Sequence, residues 1–286
     1  MLEGVMLLWF LLTALSLVFV AVDIRNTPES PVLKWGFILL TAYTGPLGAF
    51  LYVLGCREPL PGLHERYVAV RWRQVLGSTM HCVAGDGVGI LAGAVIASLF
   101  NLPKIGDITL EYVLGFAFGW TIFQALFMRG AAGGSYRRSL TSTFLPELLS
   151  MNCLMAGMVP VMTLAMKNVP AGHDPLRPTF WFIMSMALLV GFSTAYPMNW
   201  WLVSRHLKHG MMTVDSTKEP ANSRSHTEMS DHSMSGANTS GGQPENQHGM
   251  KENMKPVASN ILVGMTILSC VLFGLGLLIA IIFGGV

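Results

Sequence analysis

The chain has 286 residues, 52% hydrophobic and 12% charged, with mean hydropathy +0.51 and net charge +2. A charged fraction near half the ~25% usual in soluble domains excludes an ordinary soluble domain and points to an all-α polytopic membrane protein. So small a net charge argues against nucleic acid as a partner, and four cysteines without a CxxC pair argue against a disulfide framework.

A span needs about 20 apolar residues. Seven stretches qualify: 4–22, 35–55, 75–100, 108–128, 143–166, 179–203 and 258–284. They predict a transmembrane helix bundle of about seven spans, since lipid leaves no partner for unpaired backbone groups. The first run lacks a positive n-region and a small-residue cleavage site, so it reads as a retained span. Three regions follow: a membrane domain over 1–206 with six spans, a polar loop over 207–256, and a seventh helix within 257–286. Arg57, Arg66, Arg71 and Arg73, then Arg129, Arg137 and Arg138, then Arg205, Lys208, Lys251 and Lys255 mark every second connector. With seven spans, the positive-inside rule places the N-terminus and the long loop in the cytoplasm and the C-terminus outside. A bacterial inner membrane is the expected location.

The third span, "GSTMHCVAGDGVGILAGAVIASLF", repeats small residues at Gly77, Gly85, Gly89, Gly93 and Ala97, a ridge for close helix approach. Met80, His81 and Cys82 offer soft or borderline donors within one turn, and Asp86 lies one turn beyond Cys82. A lone histidine is usually a packing residue and a buried aspartate usually finds a basic or amide partner. Ionisable groups at membrane depth are nonetheless functional candidates by default.

In the fifth span, "LPELLSMNCLMAGMVPVMTLAM", Glu147, Met151, Met155, Met158, Met162 and Met166 share one arc of about 100°. They cover about 28 Å at ~1.5 Å per residue, close to the hydrocarbon thickness. The stripe is either adaptable core packing or a metal or proton path. Pro160 frees the Ala156 carbonyl as another polar lining. The sixth span ends with Tyr196, Trp200 and Trp201 near Arg205, an interfacial belt.

The connector 207–256 has almost no large aliphatic residues after Val214 and should be disordered alone. Together with the end of the sixth span it carries His206, His209, His226, His232 and His248, and Met211, Met212, Met229, Met234, Met250 and Met254. Thioether with imidazole selects Cu(I), with Ag(I) as its mimic. The loop has no cysteine for zinc and only scattered carboxylates for hard cations. The bland alternative is a disordered linker with chance enrichment.

The segments "STMHCVAGDGVG", "FLPELLSMNCLMAGMVP" and "YPMNWWLVSRHLKHGMM" together resemble an uncharacterised bacterial multi-span family, classed as a domain of unknown function, whose members are often labelled copper oxidase. The resemblance covers roughly residues 70–212. It implies membrane location and an association with copper, and brings no established activity.

Three functions are therefore expected in descending order. The first is a Cu(I) transporter or exporter-type permease, with the loop capturing metal and His81, Cys82, Asp86 and the methionine stripe forming the path. The second is a membrane-anchored copper chaperone or sensor. The third is an intramembrane enzyme, which would need Glu147 beside Asp86 as a second carboxylate. Lipid and copper ions are the implied partners, with room for a copper chaperone or other copper-resistance proteins and for an oligomer.

Overall fold

A computed structural model describes residues 2–57, 63–127, 135–208 and 257–285. Among the described residues the fold is all-helical, without strands. Five helical segments among the described residues are long and apolar enough to cross a bilayer: Leu2–Asn26, Arg71–Leu99, Tyr136–Asn168, Pro178–Ser204 and Ser259–Gly284. They contain α1 (Leu2–Asp23), α5 (Arg71–Leu99), α8 (Tyr136–Asn168), α9 (Pro178–Ser204) and α10 (Ser259–Ile279). α1 and α10 are peripheral, each burying few residues and leaving rows of Leu, Ile and Val exposed, as a lipid-facing surface requires.

The stretch 35–55, expected as one span, is a helical hairpin. α2 (Pro31–Thr44) and α3 (Pro46–Gly55) meet at Gly45, whose φ of +60° and ψ of −137° suit glycine, and Pro46 then starts the second helix. The two helices run antiparallel. Phe37 and Tyr52 pack with ring centroids 5.2 Å apart, and Gly48 lies against Thr41 and Thr44. At ~1.5 Å per residue they extend about 21 and 15 Å, short of the ~30 Å hydrocarbon core. The hairpin tip meets Trp9 and Thr13 of α1, while Tyr52 and Arg57 return to Asp23 at the end of α1 (2.8 and 2.9 Å). α4 (His64–Val68) then leads into α5.

The stretch 108–128 is α6 (Lys104–Phe118), a π-helical segment (Gly119–Gln124) and α7 (Ala125–Phe127) in series. It runs antiparallel to α5, with Gly93 against Glu111, Gly89 against Leu114 and Gly115, and Gly85 against Phe123. The small-residue ridge thus does what its spacing predicts. Close backbone approach makes α5 and α6 one of the most intimate helix pairs.

The hairpin changes the order of ends. α5 starts beside the end of α1: Arg73 Nε donates to the Leu54 carbonyl (3.2 Å) and Gly55 lies against Leu76. The end of α9 joins them through Tyr196 Oη and the Trp72 carbonyl (3.3 Å). At the opposite end, Trp9 packs on Phe182 and Lys104 Nζ reaches the Gly285 carbonyl (2.7 Å). The start of α1 and Gly285 therefore sit at one end of the bundle, hereafter the terminal end. Arg57, residues 63–71 and residues 204–208 sit at the other, the loop end. Among the described residues the start of α1 and the end of α9 lie at opposite ends of the bundle, because 35–55 turns back at Gly45 instead of running on as one helix.

Inside the bundle α8 is the central helix, packed on α9 and α10. It continues through Pro146 and Pro160. The Ala156 carbonyl, expected to be a polar lining, instead lies against Gly276 of α10, where any side chain would collide with it. Asn152 ties α10 in place by donating to Ser269 Oγ (3.1 Å) and accepting from Tyr112 Oη (2.7 Å).

Candidate ion cluster and methionine ladder

α9 ends at the loop end in a reversal that places a lysine inside the bundle. His206 adopts φ +56°, its amide donates to the Val203 carbonyl (3.1 Å), and the Leu207 amide donates to the Leu202 carbonyl (3.0 Å). This is a Schellman cap, closed by contact of Leu207 with the apolar cluster around Leu202. The next residue, Lys208, folds inward and is only 5% exposed.

Its ammonium donates to Cys82 Sγ, to Glu147 Oε2 (3.3 Å) and to Asn199 Oδ1 (3.0 Å). Cys82 Sγ donates to the same Glu147 oxygen (3.1 Å), and Asn199 is held by Ser150 Oγ (2.8 Å). Asp86 completes the cluster. Its Oδ1 and Glu147 Oε1 both face Gly119 in the π-helical segment, where Glu147 Oε1 would lie 2.9 Å from an added β-carbon. Glycine is required there because the two carboxyls occupy the space of a side chain. π-helical turns frequently mark functional sites, and this one admits the acids.

Among the described residues no amide, hydroxyl or basic group donates to either Asp86 oxygen or to Glu147 Oε1, and the two carboxyls face each other. One ammonium faces two carboxyl groups that are fully buried. Isolated charge in such a place is costly, so the cluster has capacity for one further proton or monovalent cation.

The expected donors divide. Cys82 and Asp86, whose spacing puts them on one face of α5, meet Glu147 of α8. His81 turns to the π-helical segment, with Nε2 2.9 Å from the Phe123 carbonyl and its ring edge-on to Phe123. Met80 belongs to the apolar core. Glu147 and the five stripe methionines are all buried, at 0% for Glu147, Met151, Met155 and Met158, 1% for Met162 and 6% for Met166. The stripe faces the bundle interior: Met151 reaches Gly115 beside the Asp86 carbonyl, and Met158 lies near Gly191 of α9.

At the terminal end the stripe reaches a cavity of about 820 Å³ lined by Asp107, Glu111, Met166 and His173 among others. Glu111 is fully buried and faces Asp107, and among the described residues no amide, hydroxyl or basic group donates to its oxygens. Partial burial, and then the charge of Lys104, hold the His173 imidazole below its ordinary pKa.

Lys208, Gly119, Glu111, Asp107 and His173 carried no weight in the sequence. Lys208 counted there only as a basic flank. The detectable signal was Glu111, an acid inside an apolar run. His206, expected as a ligand, is the exposed left-handed residue of the cap. The other expected loop ligands, His209 to Met254, lie outside the described residues.

Apolar helices around a buried ion cluster define a polytopic integral membrane protein. Residues 71–208 match the model of a domain of unknown function, DUF4396, as the resemblance of the three segments indicated. The match begins with α5 and ends on Lys208, so it contains the whole cluster and the methionine ladder. No curated protein and no solved structure matches the chain.

Proposed function

We propose that the protein is a membrane permease for a soft monovalent cation, Cu(I), with the 209–256 segment as its metal-capturing antenna. The observation that carries this reading is the continuous buried file from Cys82 and Glu147 through Met151, Met155, Met158 and Met162 to Met166 at the terminal cavity. Packing alone explains buried methionines. It does not explain a file headed by a carboxylate and a thiol and ending at a polar cavity. Serial weak thioether ligands suit an ion that must leave as easily as it enters. The unfilled acid capacity beside Lys208 supplies a place for a coupled proton.

Seven crossings are not needed: the five apolar spans and the helical stretch 104–127 suffice, with the hairpin re-entering. Arg25 and Lys34 now join Arg57, Arg66, Arg71, Arg73, Arg137, Arg138 and Arg205 at the loop end, against Lys104, Lys167 and Arg177 at the terminal end. The positive-inside rule then puts the loop in the cytoplasm and both termini outside, in a bacterial inner membrane.

One observation favours the chaperone or sensor reading. Lys208 closes the loop end of the file, as a device that reports metal without passing it would. The acid pair Asp86–Glu147 meets the adjacency an aspartyl enzyme needs, but both are fully buried and Lys208 engages Glu147. Proteoliposomes loaded with a Cu(I) indicator decide between transport and sensing. Wild type should pass Cu(I), and Met151→Leu/Met155→Leu/Met158→Leu should pass much less while still binding metal at the loop. Equal flux in both would remove the ladder from the mechanism, and no flux in either would leave the sensor.

A further inference from the structure

The terminal end carries a second set of donors that the ladder alone does not reveal. Beside the large cavity is a recess of about 10 Å³, the scale of one water or one bare ion, lined by Asp107, Met162, Met166 and His173, with Thr163 and Lys104. The four donors come from α6, α8 and the connector between α8 and α9. The neighbouring charges are committed elsewhere. Lys104 Nζ donates to the Gly284 and Gly285 carbonyls (3.3 and 2.7 Å), and Lys167 Nζ to the Phe283 carbonyl (2.8 Å). Asp174 Oδ1 accepts from the Leu176 amide (3.0 Å), and its Oδ2 lies 3.8 Å from Arg177. Asp107 and Glu111 face each other, and among the described residues no amide, hydroxyl or basic group donates to Asp107 Oδ1 or to either oxygen of Glu111.

We infer that Met162, Met166, His173 and Asp107 form an exit or entry site for one soft monovalent cation at the terminal end of the ladder. Two thioethers and one imidazole are a Cu(I) or Ag(I) set, and the Asp107 carboxylate offsets the ion's charge. Zinc disfavours thioethers and would find only one imidazole and one carboxylate here. The backbone keeps His173 in place, since its carbonyl accepts from Ser98 Oγ (3.0 Å). The inference rests on the copper reading above and adds a defined mouth to it.

The test is histidine modification by diethylpyrocarbonate on the purified full chain, read peptide by peptide, with and without excess silver nitrate in chloride-free buffer. Silver should suppress modification at His173 in the wild type, and Met162→Leu/Met166→Leu should lose that protection. Asp107→Asn, which leaves the methionines untouched, should weaken it and serves if the double variant does not fold. Protection of His209, His226, His232 and His248 without protection of His173 overturns the recess and leaves the copper loop standing. Protection of His173 that survives the double variant overturns the thioether assignment. Protection at none of these histidines overturns both readings. Zinc in place of silver should leave His173 reactive; zinc protection would refute the soft-ion assignment.

Discussion

Lys208 and Glu147 are 61 positions apart in sequence, yet the ammonium lies 3.3 Å from the carboxylate, with side chains 3% and 0% exposed. A buried pair of this kind is weak evidence for stability as a whole, but losing one partner is expensive because the other charge is stranded. Lys208→Met should therefore destabilise the protein by about 3–5 kcal/mol. Lys208→Met/Glu147→Met should recover most of that loss. Denaturation midpoints in detergent check both, and a single variant that melts like the wild type would show that the pair does not form.

The same cluster sets a steric demand on the π-helical segment that follows α6. At Gly119 a β-carbon would fall on the carboxyls of Asp86 and Glu147, whereas at Gly274 nothing lies within 4 Å of one. Gly119→Ala should cost about 1–3 kcal/mol, the range for overpacking a filled site. Gly274→Ala should be silent. Equal melting of the two variants would mean that the acids do not meet at Gly119.

Much of this site was legible and some was not, for identifiable reasons. Helical periodicity places Glu147 and the five methionines on one face, and the bundle buries that face. The Cys82–Asp86 spacing also puts both on the acid cluster. Lys208 was hidden because charge counting treats a lysine beyond a span as a flank, and only the left-handed His206 turns it inward. The hairpin was hidden because hydropathy adds α2 to α3 across Gly45–Pro46. A sliding window cannot tell a crossing from a re-entry of the same length. Counting that stretch as one crossing puts the N-terminus on the side of the long loop; counting it as a re-entry puts the two on opposite sides.

The two alternatives are directly testable. Glu3→Cys and Ser216→Cys, introduced singly, should react from opposite faces of the membrane with an impermeant maleimide. On the orientation proposed here, Glu3→Cys labels in intact spheroplasts and Ser216→Cys only after lysis. Labelling of both from one face would restore seven crossings and refute the re-entrant hairpin. Labelling of Ser216→Cys alone in intact spheroplasts would keep the hairpin and invert the orientation.

His206 separates a capping role from a ligand role. Its φ of +56° lies where a side chain is strained and glycine is not. Its amide and that of Leu207 close the end of α9 and direct Lys208 to Glu147. His206→Gly should relieve that strain and stabilise the protein by about 1 kcal/mol, the lower range for a residue held in the left-handed region. Cu(I) stoichiometry should be unchanged, because the exposed imidazole takes no part in the cluster. A fall in bound copper with no gain in the denaturation midpoint would make His206 a ligand, and the turn that carries Lys208 would then be part of the metal site itself.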